Sequence, residues 1–155
     1  MKKVIAMILT FVVFASFGMA GEMQVQATNE LVCIDGSYLL DDVEESVGDM
    51  EISTWGYYLK SGSSTINKPA AGKIGVGGST TAQRVVDKIS VTVKVQRLVN
   101  GNWQNYHTWM AEKTNAAYVS TSKTLTVPTG YYYRVVCSHY AASDTGYSYT
   151  DGLYI

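Results

Sequence analysis

Histidine, cysteine and proline are all scarce, with two of each in 155 residues. The histidines, His107 and His139, fall in different predicted strands, and no zinc-protease, nucleophile-elbow or paired-cysteine zinc spacing surrounds them. Drawing a triad from His139, Asp144 or Asp151 and one of many serines is possible, but ordinary sheet-surface roles are expected for both histidines. The glycine run Gly72–Thr80 has no Gly-Lys-Ser/Thr ending and no helical pattern after it, which excludes a phosphate-binding loop. Asp35-Gly36 and Asp41-Asp42 lack the spacing and closing Glu of a calcium loop. Neither a metal nor a cofactor is expected. After Val4–Phe17 no apolar run is long enough to cross a bilayer. Helical periodicity is missing after Glu51, and Thr28–Glu51 contains no Lys or Arg.

The start of the chain reads as an export signal. Lys2 and Lys3 form a basic region, Val4–Phe17 an apolar one, and small residues follow at Gly18-Met19-Ala20 and Val25-Gln26-Ala27. Cleavage after Ala27 is preferred, which makes 1–27 a signal peptide; cleavage after Ala20 is the alternative. Val32 before Cys33 argues against lipidation. With no C-terminal sorting tail in view, a secreted, extracellular product is expected. The remainder is long enough for one domain with its own core.

Net charge is −1, but it is unevenly spread. Thr28–Glu51 carries eight acids and no base, a charge of −8. Ile52–Ile155 carries ten bases and four acids, giving 10 − 4 = +6. The expectation is an acidic leader over 28–51, poorly ordered or holding a short helix through Leu39, Val43 and Val47, tethered to a basic domain over 52–155. Cys33 and Cys137 are the disulfide candidates in an exported chain. Pairing would close a long loop worth about 4–5 kcal/mol in the chain-entropy model, and two unpaired thiols are the alternative.

Val86–Met110 organises the rest. Ile89, Val91, Val93 and Val95 alternate with Lys88, Ser90, Thr92, Lys94 and Gln96, the period of a strand with one buried face. Asn100-Gly101 then favours a type I′ hairpin turn. A two-residue turn pairs Val95 with Tyr106, Val93 with Thr108 and Val91 with Met110. Trp103, Trp109, His107 and Lys94 then share the opposite, solvated face. A three-residue turn would turn both tryptophans inward. Turns are expected at Ser61–Ser64, Lys68–Gly72, Pro128–Gly130 and Ser143–Gly146, a bulge or corner at Gly75–Gly78, and a connector at Ala111–Ala116. Short strands at this spacing indicate an all-β fold, a single antiparallel β-sandwich.

Leu125–Cys137 resembles the E–F corner of immunoglobulin-like and fibronectin type III sandwiches. That resemblance implies an immunoglobulin-like fold with Tyr133 as the corner tyrosine. More widely, Trp55–Gly62, Val76–Ala82, Gly101–Trp103, Gly130–Val135 and Thr150–Ile155 resemble a family of small secreted Gram-positive bacterial proteins of unknown function. It implies export and a β-fold, and brings no reaction. The twelve tyrosines and three tryptophans are what remains. Aromatics on a solvated sheet face stack on sugar rings or anchor partners. The expected function is therefore non-catalytic envelope, matrix or glycan binding, with an anionic cell-wall polymer as a candidate partner. The scattered bases make nucleic acid a poor fit. A small secreted hydrolase and a self-assembling surface protein are the alternatives.

Overall fold

A computed structural model describes residues 31–50 and 57–155. The expected signal peptide, Trp55 and the start of the expected 52–155 domain lie outside the described residues. Those described form nine strands and no helix: β1 (Cys33–Ile34), β2 (Ser37–Leu40), β3 (Glu45–Asp49), β4 (Leu59–Ala70), β5 (Lys73–Val99), β6 (Asn102–Thr126), β7 (Tyr132–Ala141), β8 (Asp144–Tyr149) and β9 (Gly152–Tyr154). No helix among them could cross a membrane.

The expected hairpin is real but larger than its alternating core. β5 pairs with β6 from Lys73↔Thr126 to Val99↔Asn102. Asn100 and Gly101 take the positive φ values, 51° and 76°, that a two-residue turn of this kind needs. The expected connector at Ala111–Ala116 is continuous strand, paired with β5 at every residue but Asn115.

This ribbon is sharply irregular at one place. Thr81 faces Tyr118 and Val86 faces Ala116, so four residues of β5 stand against one of β6. Extra residues on one strand bend a ladder and raise its twist. The corner therefore lies at Ala82–Val85 and not at Gly75–Gly78. Before it, β5 pairs with β4 and β4 with β3; after it, β5 pairs with β7, which carries β8 and β9.

The two wings fold towards each other, and the core lies between them. Val91, Val93, Val95, Val135 and Cys137 of one wing, with Ile66, Ile74 and Val76 of the other, are buried in it. Glycine serves this contact. A side chain at Gly78 would put its Cβ 2.5 Å from Cys137 Sγ, and one at Gly62 would strike the His139 ring. Ser61–Ser64, expected as a turn, is accordingly mid-strand in β4, where its lone glycine lets the facing layer approach.

Two expectations are corrected here. The all-β class holds, but the strands form one continuous curled sheet, a half-barrel, that is mixed and not wholly antiparallel. β2 lies parallel to β9. The acidic segment is not poorly ordered within 31–50. Its residues form β1, β2 and β3, with Ser37 and Ser46 buried. Its acids sit at turns or point outward, so their mutual repulsion is relieved by solvent, and the backbone pairs with β4 and β9.

Candidate functional site

Asn100-Gly101 starts β6 in the expected register, with Val99↔Asn102, Leu98↔Trp103 and Gln96↔Asn105. The next pair is Val95↔His107, so Tyr106 is an extra residue, a bulge. The side chains of β6 from His107 to Ala116 are thereby turned to the other face. Val93 meets Trp109 in place of Thr108, and Val91 meets Ala111 in place of Met110, which is left 57% exposed.

The four residues expected as one binding cluster are consequently divided. His107 and Trp109 lie on the inner face beside the buried valines, half-buried, their rings 5.5 Å apart. Trp103 and Lys94 lie on the outer face, through their partners Leu98 and Thr108. The indole N–H of Trp103 donates to the Ile34 carbonyl at 3.1 Å.

What gathers around Trp109 is a lip along the open side of the half-barrel. Its indole N–H donates to Thr121 Oγ1 at 3.0 Å, joining the two ends of the bent β6 strand. Lys123 Nζ stands 4.8 Å over the same indole. Beyond His107, at the bulge, Tyr106 packs edge-on against Tyr133 at 5.7 Å. Arg97 lies 5.7 Å from the Tyr106 ring and 4.6 Å over that of Tyr131. Each such cation–π contact is worth about 0.5–2 kcal/mol, and holds the cation where a ligand can reach it. Sequence reading missed Arg97, Tyr106, Lys123 and Tyr131 because nothing local marks the bulge or the fold-back of β6.

The remaining titratable groups are structural. His139, expected on the surface, is 1% exposed. Thr80 Oγ1 donates to the Ser90 carbonyl, so the His139 Nδ1–H donates to Thr80 Oγ1 at 2.8 Å. Nε2 therefore accepts from Ser148 Oγ, also at 2.8 Å. This serine–histidine chain ends on a hydroxyl where a hydrolase would place a carboxylate. Burial among neutral partners holds the imidazole pKa down at about 4. Asp144 instead accepts from the backbone N–H groups of Tyr58 and Leu59, which keeps its carboxyl below the usual range. Asp151 accepts from Tyr38 N–H. Neither acid turns toward His139.

The disulfide candidates are both free thiols. Cys137 is in the core, where it donates to the Gly77 carbonyl and burial pushes its pKa up to about 12. Cys33 is exposed on β1, so the two cysteines take the unpaired alternative here. Among the described residues no group of His, Cys, Asp and Glu could hold a metal.

A family profile matches residues 25–152, spanning the acidic strands and the lip alike. The chain belongs to DUF6147, a family of unknown function. No curated protein and no solved structure matches it. In this DUF6147 chain the lip brings together two ring types that stack on apolar sugar faces and two cations that take anionic groups, with the His107 imidazole and the Thr121 hydroxyl beside the Trp109 ring.

Proposed function

We propose that this protein is a secreted, non-catalytic binding module whose lip, from Lys123 and Trp109 to Arg97 and Tyr131, takes an extended anionic glycan or cell-envelope polymer. The single observation that carries this reading is the pairing of each cation with an aromatic face along one open edge. A pyranose stacks on such a face while a phosphate or carboxylate meets the cation. Export rests on the basic and apolar N-terminal pattern, and a Gram-positive envelope setting on the family resemblance. The immunoglobulin-like reading is supported at one point, where Tyr133 Oη donates to the Pro128 carbonyl at 2.8 Å, the bond of a corner tyrosine.

The test is titration of the exported chain with purified wall teichoic acid at low and high salt. Trp109→Ala should weaken binding by about tenfold or more, as for a central aromatic anchor. Affinity should also fall as salt rises, since exposed charges are screened within about 8 Å at physiological ionic strength. Binding that ignores both changes overturns the reading.

A second reading is self-assembly. Among the described residues β6 pairs on one side only, leaving most of a 25-residue strand as a free edge. Light scattering of the purified chain distinguishes the two, because only assembly grows with protein concentration in the absence of polymer.

A further inference from the structure

Arg134 stands near the start of β7 on the outer face, opposite Gln96, and is 7% exposed. Buried charges are normally paired; here no carboxylate of the described residues makes a direct ion pair with the guanidinium, and the Asp35 carboxylate of the neighbouring turn acts on it only at longer range. It lies 4.5 Å over the Trp103 ring, and its Nε donates to Gln96 Oε1 at 2.9 Å. Its Nη1 is satisfied by the turn between β1 and β2: the Asp35 carbonyl at 2.9 Å, Ser37 Oγ at 3.0 Å and the Ile34 carbonyl at 3.5 Å.

That turn has few backbone ladder pairs and is held mainly by side chains, the Trp103 indole N–H also donating to the Ile34 carbonyl at 3.1 Å. β1 pairs with β2 over two residue pairs, and β2 with β9 over two more. Ser37 Oγ donates to the Thr150 carbonyl, and Tyr38 N–H to Asp151. Neutral carbonyls at a guanidinium are weaker partners than a carboxylate, which would offer two charged oxygens to the same fork.

We propose that Arg134 and Trp103 form a second ligand site, for a sugar ring bearing a carboxylate, which the chain's own Cys33–Ser37 turn occupies and from which it is displaced. The indole stacks the ring, the guanidinium takes the carboxylate, and Lys94 on the same face supplies a further cation. The site is on the opposite face of the ribbon from the lip and does not depend on it. The acidic segment thus acts as a tethered competitor at high effective concentration.

Gly36 allows a direct test, since it holds φ at +79° and a Cβ there would lie 3.0 Å from Tyr149 Oη. Gly36→Val should spring the turn while leaving β5–β7 in place. Calorimetry with oligogalacturonate on the full exported chain should show it binding about tenfold more tightly than the parent, the size of effect a released anchor brings. Ser37→Ala should give a smaller gain in the same direction. Adding Arg134→Gln should abolish the gain, and adding Trp109→Ala should leave it intact. The proposal is overturned if folded Gly36→Val gains nothing, if the gain survives Arg134→Gln, or if uncharged malto-oligosaccharide gains equally. Should Gly36→Val fail to fold, Ser37→Ala decides alone, and a change under about twofold overturns the idea.

Discussion

The two halves of the β5–β6 ribbon are the same two strands with opposite chemistry. Lys73–Thr81 against Tyr118–Thr126 is built largely from small residues, with Gly75, Gly77, Gly78 and Ser79 facing Thr124, Ser122, Thr121 and Ser120. Val86–Val99 against Asn102–Ala116 is built from branched aliphatics facing His107 and Trp109. The first half buries Ile74, Val76 and Val119 but sets glycines and small polar residues between them. Its backbone is approached by Cys137, and on its outer side a groove of about 420 Å³ opens beside Thr65, Asn67 and Ser122. The second half packs by filling space. Ile89, Val91, Val93 and Val95 have no exposed surface at all. A curled sheet needs both, because two layers of large residues would hold the wings too far apart to share a core.

The comparison is broken most severely by giving a glycine of the first half a side chain. Gly78→Val places new atoms against Cys137, Val91 and the Ser63 carbonyl. It should cost about 3 kcal/mol or more, the upper range for overpacking, measured as the shift of a urea midpoint. A loss no larger than that of a surface substitution would show that the wings are not in contact there.

His139 joins the halves, pairing with Val91 in one and bonding Thr80 in the other. Its folded pKa, about 4, is below its ordinary 6.5, so the unfolded chain takes up the proton first. Stability from this group is complete above pH 6.5, falls as pH drops toward 4, and changes no further below that. The total loss should be about 3 kcal/mol. Urea titrations across that range check it, and the slope assigned to this group should vanish in His139→Gln.

The smallest contrast lies within the second half. Val93→Ala should cost about 1–3 kcal/mol through lost burial and the cavity left, while Lys94→Ala on the outer face should change stability by less than about 0.5 kcal/mol. Equal effects in thermal melts would mean that the alternation does not separate an inside from an outside.

How far the site could be read depended on whether its cause was local. The turn at Asn100-Gly101 and the valine face were legible, because φ preference and period act within a few residues. The lip was half-legible. Trp109 and His107 stood out as aromatics on one strand, but the Tyr106 bulge moved them to the inner face. Arg97 and Lys123, 26 positions apart, meet the lip only through the curl. The acidic segment misled for a related reason: its charge pattern argued against local order, while its backbone found partners in β4 and β9.

By itself the sequence determined an all-β chain, the hairpin and its turn, the buried valine stripe and the −8/+6 charge division. Each follows from neighbours in the chain, through side-chain period, allowed φ or the charges of one stretch. Only the tertiary structure decided that the strands curl as one mixed sheet. It decided also that His139 is buried and neutral, that Cys33 and Cys137 stay apart, and that the acidic turn sits on Arg134. Those outcomes depend on which strands pair across a hundred residues, and no local preference carries that information.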